Sequence, residues 1–180
     1  MKSLPEGVAL ENVDVWFQDE TRIGQQGSTS RMWAKKGTRS RALKQQQFTC
    51  SYIYGAICPS TGQAVGLILP SVNTACMSLH IDEISLSIPK GRHALIIMDG
   101  AGWHQEFHTR DNVSILKIPP YSPELNPCEQ VWQYIKDKWL KNRCYKDYDD
   151  ILAVAVEAWK KFTAEQGRIQ SLCSRDWAAI

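Results

Sequence analysis

The run Ala94-Leu95-Ile96-Ile97-Met98, entered from His93, is continuously apolar and breaks off at Asp99-Gly100. A strand with that pattern has no wet face. It belongs in the middle of a sheet that is covered on both sides, as parallel strands in α/β folds are. The surrounding patterns supply the other parts. Val13-Asp14-Val15-Trp16-Phe17 reads as a strand that delivers Asp19-Glu20 at its end, and Phe48 to Cys58 reads as a second. Pro59-Ser60-Thr61-Gly62 then turns the chain into a hairpin partner, Gln63 to Leu69. Arg31-Met32-Trp33-Ala34 suits a short strand, and Val113 to Ile118 a further one. Asn73 or Thr74 caps a helix running to Ile88, with Met77, His80, Ile81, Ile84 and Ile88 on its inner face.

Two helices close the chain. Asn126 is the expected N-cap of the first, with Pro127 at its first position and Cys128, Val131, Trp132, Ile135 and Trp139 on one stripe. The second runs from about Asp149 to Ala164 and turns Ile151, Ala155, Ala158, Trp159 and Phe162 inward. Strands first, then strands mixed with helices, then helices predict an α/β layered sheet with helices packed on it.

At 180 residues, the chain fits one globular domain, and 43% hydrophobic with 22% charged residues excludes disorder and fibrous repeats. No apolar run approaches the roughly 20 residues that cross a bilayer. The first residues, Met1 to Gly7, carry no secretory h-region, so a cytoplasmic location is expected. The cysteines at 50, 58, 76, 128, 144 and 173 form no C-x-x-C pair, which predicts reduced, mostly buried thiols rather than zinc or disulfides.

Charge is segregated. Between Thr21 and Ile81 there is no Asp or Glu, while Arg22, Arg31, Lys35, Lys36, Arg39, Arg41 and Lys44 are all positive. The rest of the chain is net acidic, so the basic segment sets up a local field suited to a polyanion. Arg31, Lys35, Lys36, Arg39 and Arg41 are the candidates for phosphate contacts, which hold a duplex without reading its sequence. A plain solvated loop is the competing explanation.

Three acids stand out by position: Asp19 after the first strand, Asp99 at the end of the most apolar one, and Glu129 opening the first C-terminal helix. Ligands of open sheets gather at the carboxyl ends of strands, so Asp19 and Asp99 meet there if their strands are parallel neighbours. Converging carboxylates need a cation, and oxygen donors without His or Cys favour Mg²⁺ or Mn²⁺. Two such ions about 4 Å apart serve phosphodiester chemistry. Taken singly, each acid also has a structural explanation: a loop start, a turn, and a capping box with Asn126.

The flanking residues distinguish these cases. The stretch Pro119-Pro120-Tyr121-Ser122-Pro123-Glu124-Leu125-Asn126-Pro127-Cys128-Glu129-Gln130-Val131-Trp132 closely resembles the third-acid motif of Tc/mariner-like transposases and their bacterial insertion-sequence relatives. Phe17-Gln18-Asp19-Glu20-Thr21 is similar to the first-acid motif of that family, and Ile96-Ile97-Met98-Asp99-Gly100-Ala101-Gly102-Trp103-His104 to the second. The resemblance spans roughly residues 13 to 160 and implies a ribonuclease H-like mixed sheet flanked by helices. It further implies that Asp19, Asp99 and Glu129 form a DDE triad holding two Mg²⁺ (or Mn²⁺) ions for strand cleavage and strand transfer at transposon ends. His104 matches a histidine common in the second motif, which implies contact with the scissile phosphate; a backbone-bonded turn histidine is the alternative.

The chain departs from the family pattern in having Gly100 where Asn is more usual and only 29 residues between Asp99 and Glu129. The helix-turn-helix region that normally precedes the catalytic domain is missing, so residues 1–180 are expected to be a single catalytic domain. The resemblance then implies a separate N-terminal DNA-binding half and a dimer on DNA, with transposon ends and target DNA as partners. Two alternatives stay open: another ribonuclease H-like metal-dependent nuclease, and a catalytically silent DNA-binding remnant.

Overall fold

A computed structural model describes residues 4–5, 7–27, 33–38, 44–100, 110–119 and 122–175. Its centre is a five-stranded mixed sheet in the order β3-β2-β1-β4-β5. β1 (Val13–Gly24), β2 (Cys50–Cys58) and β3 (Gln63–Leu69) form an antiparallel meander, to which β4 (His93–Met98) and β5 (Val113–Lys117) add in parallel. The apolar strand β4 lies between β1 and β5, inside the sheet as its pattern requires.

Helix α1 (Thr74–Ser87) crosses from β3 to β4 and covers one face. Asn73 caps it, accepting from Cys76 N–H at 2.8 Å. Met77, His80, Ile81, Ile84 and Ile88 are all buried, as their spacing predicts. Helices α2 (Cys128–Ile135), α3 (Tyr148–Ala164) and α4 (Arg168–Cys173) cover the other face. The strand pleat sorts β1 between the two cores: Val15, Phe17 and Ile23 face α2 and α3, while Trp16 faces α1. Asp14 is buried at the entry end of β1, where the Arg92 guanidinium binds both its oxygens at 2.6 Å. The cysteines are free thiols, four of them buried.

Several expectations are corrected. β1 does not stop before Asp19; it continues to Gly24 because β2 pairs with it as far as Gly24↔Cys50. β2 begins at Cys50 rather than Phe48. Trp33 and Ala34 lie outside any strand, and Arg31 and Met32 are outside the described residues. α2 passes at Lys136 into a single π turn, Lys136–Leu140, closed by Lys141 N–H to Lys136 O at 2.9 Å. Helix α4 has no counterpart in the sequence reading.

Candidate active site

The parallel ladder of β1 with β4 ends at Phe17↔Ile97. Asp19 lies two residues beyond that end on β1, and Asp99 directly follows β4. Asp19 therefore sits in β1 just past the part that pairs with β4, and Asp99 just past the carboxyl end of β4, on the side of the sheet where open α/β sheets bind ligands.

The third acid is delivered by bonds to the β1 backbone. Asn126 Nδ2 donates to the Gln18 carbonyl at 2.9 Å, and Cys128 Sγ donates to the Phe17 carbonyl at 3.0 Å. Asn126 Oδ1 also accepts from Cys128 N–H at 3.1 Å, so one buried amide both satisfies the first N–H of α2 and fastens the helix to the strand, although the N-cap position itself falls to Pro127 rather than Asn126. Glu129 follows directly and is exposed in the first turn of α2. The capping-box alternative receives no support: among the described residues, no hydrogen bond runs from the Asn126 N–H to the Glu129 carboxylate. The contact between these residues is instead Glu129 N–H to Asn126 O at 3.2 Å.

Asp19 points to the α2 side, where the Trp132 indole Nε1 donates to its Oδ2 at 2.9 Å. Burial, then the charges of Glu20 and Glu129, push the Asp19 carboxyl up to about 7, and bonds from the Glu20 backbone and Trp132 offset part of this. The charges acting on Asp19 are thus those of other acids. A hard divalent cation would supply the compensating charge, and carboxylates without His or Cys are the donor set for Mg²⁺ or Mn²⁺. The residues fit such an ion. Among the described residues, however, no three His, Cys, Asp or Glu side chains are gathered into a metal cage.

Of the expected DNA contacts, Lys35 and Lys36 are exposed in a turn closed by Thr38 N–H to Lys35 O at 2.9 Å, with Gly37 at φ 86°. Arg31, Arg39, Arg41 and His104 lie outside the described residues. Sequence reasoning missed a cavity of about 220 Å³ at the end of β1, to which Arg22, Lys136 and Lys141 contribute cations. It also missed the Trp132 bond to Asp19. The available signal was glycine inside two strands, at Gly55 and Gly66.

Residues 14–152 match the family model described as DDE superfamily endonuclease. The chain belongs to that family. The uncharacterized protein y4pE/y4sA of Sinorhizobium fredii (strain NBRC 101917 / NGR234) is 45% identical over 130 residues, which is 71% of this chain and 96% of that protein. Among solved structures, the Mos1 mariner paired end complex with Mn superimposes with a TM-score of 0.66 at 16% identity, over 87% of this chain and 50% of that one. The catalytic core domain of BIV integrase does so with a TM-score of 0.53 at 12% identity, over 85% of each chain. At those identities the likeness is one of fold, and the DDE chain spans about half the length of the Mos1 chain. The family match bears out the DDE part of the resemblance, and the fold shared with the Mos1 and BIV integrase structures bears out the ribonuclease H-like mixed sheet.

Proposed function

We propose that this DDE domain is the catalytic part of a DNA transposase that cleaves DNA at transposon ends and joins the freed 3′-hydroxyl to target DNA. Asp19, Asp99 and Glu129 are its metal-holding acids, for two Mg²⁺ or Mn²⁺ ions. The observation that carries this reading is the combination of the parallel β1–β4 register with the Asn126 and Cys128 clamp. The first leaves Asp19 and Asp99 just past the end of one parallel ladder, and the second fastens to β1 the start of the helix that carries Glu129. The Mos1 structure, a paired end complex with Mn, supports the choice of metal and of DNA as partner.

When bound, the ions would supply positive charge to the attacking and leaving oxygens of the phosphodiester. The protein's own contribution is placement. β1 and β4 lie in mid-sheet, and α2 is fixed to the β1 backbone, so the carboxylates would be presented from an ordered frame. Lys35 and Lys36, with Arg31, Arg39 and Arg41, neutralise phosphates along the duplex, and His104 contacts the scissile one. A dimer on DNA handles two ends together.

The test is nicking of supercoiled plasmid in Mg²⁺ or Mn²⁺ by the wild type and by Asp19→Asn, Asp99→Asn and Glu129→Gln. Nicking that falls to background in all three supports the triad, and full activity in any one removes that acid from it. Joining a pre-cleaved 3′ end to a second duplex then separates a transposase from a plain nuclease.

A further inference from the structure

Asp19, Gly55 and Gly66 form one row across the sheet, paired Asp19↔Gly55 and Gly55↔Gly66. Glycine inside a strand weakens it, so two glycines side by side in neighbouring strands need a reason. The reason is two indoles lying on the sheet. A Cβ at Gly55 would sit 2.5 Å from Cη2 of Trp132, and one at Gly66 would sit 2.3 Å from Cε2 of Trp159. The rings touch each other as well, with centroids 5.9 Å apart. Trp159 thus occupies the outer slot and Trp132 the inner one, and the inner ring ends with its N–H on Asp19 Oδ2 at 2.9 Å.

We infer that Trp132 is a positioning residue for Asp19: held in the slot over Gly55 and backed by Trp159, its indole N–H fixes the rotation of the carboxyl that receives the metal. An indole can only donate, so it matches a carboxylate and offers no lone pair to compete for the cation. Outer partners of this kind orient metal ligands in general. The inference rests on the reading of Asp19 as a metal-holding acid.

Trp132→Phe keeps a ring in the slot and deletes the donor. Calorimetric titration of Mn²⁺ into the full chain should show affinity weakened roughly tenfold, within the range usual for lost outer-shell hydrogen bonds. The thermal midpoint should stay close to that of the wild type, and the nicking rate should recover at high Mn²⁺. Gly55→Ala, which displaces the indole with Trp132 intact, should weaken Mn²⁺ binding in the same direction. A readout that needs no metal is the ¹H–¹⁵N resonance of the Trp132 indole, which should shift in Asp19→Ala.

If Asp19→Ala loses Mn²⁺ binding while Trp132→Phe binds as the wild type does, the positioning role is wrong and the metal site stands. If Asp19→Ala binds Mn²⁺ undiminished, the metal-site reading fails and the inference fails with it. An indole resonance unmoved in Asp19→Ala would overturn the hydrogen bond itself.

Discussion

Glycine does different work at two positions of this chain. At Gly66 the absent side chain is replaced by Trp159, with Cε2 and Nε1 at 2.3 and 2.4 Å from where a Cβ would be. Indole rings packed among Phe162, Trp132 and the sheet have little room to withdraw. Gly66→Ala should therefore cost about 1–3 kcal/mol by overpacking, read from urea unfolding. At Gly100, among the described residues, a Cβ would meet only the Ile118 carbonyl, at 3.6 Å. Gly100→Asn, which restores the residue more usual in the family motif, should leave stability within about 0.5 kcal/mol of wild type. The two variants separate a glycine kept for packing from one whose replacement the fold tolerates. Only the first kind can be suspected from sequence, because glycine interrupts a strand pattern there. The ring that needs the space comes from a helix about a hundred residues away.

Among the elements, α1 was the most legible and it hides a titratable group. Its cap and its buried face follow from residue type and spacing, yet the inner face includes His80, with no exposed surface. Nε2 donates to the Val65 carbonyl at 3.4 Å, and Nδ1 has no partner among the described residues. Tyr54 packs edge-on against the ring, at 5.7 Å between centroids. Burial therefore disfavours the imidazolium and pushes His80 down to about 4. As pH falls below the ordinary histidine value, the unfolded chain takes up a proton that the fold refuses, so stability is lost between about 6.5 and about 4. This group should contribute a loss of about 2 kcal/mol between about pH 7 and about pH 5. Urea unfolding of wild type and His80→Leu at both pH values checks it: the variant should lack that part of the slope.

The other elements differ in legibility for reasons of the same kind. β4 announces itself by burial on both faces, whereas the outer half of β1 reads Gln18-Asp19-Glu20-Thr21-Arg22 and looks like a loop. It is a strand because β2 holds it, after β4 has dropped away. The clamp of α2 is illegible for a related reason. Asn126 and Cys128 spend their polar atoms on carbonyls more than a hundred residues earlier in the chain, and local spacing carries no trace of that.

For the whole molecule, charge is distributed in a way the fold alone does not require. Seven cations and no acid fall between Thr21 and Ile81, while the candidate site is acidic. Acids that bind metal repel DNA until the metal arrives, so a basic surface must hold the duplex near them. Phosphate contacts release counterions, and the affinity for duplex DNA should fall linearly with salt on a log–log scale. Lys35 and Lys36 are both exposed in their turn, with no ion pair among the described residues to occupy them. If each meets a phosphate, Lys35→Ala and Lys36→Ala should each reduce the salt slope by roughly 1 and weaken binding about equally for unrelated sequences. Fluorescence anisotropy with a labelled duplex, titrated at several salt concentrations, measures both quantities. An unchanged slope would assign the lysines to solvated surface and shift the DNA path toward the cavity lined by Arg22, Lys136 and Lys141. A weakening confined to one DNA sequence would mean that the turn reads bases, which the sequence-independent role assigned to it does not allow.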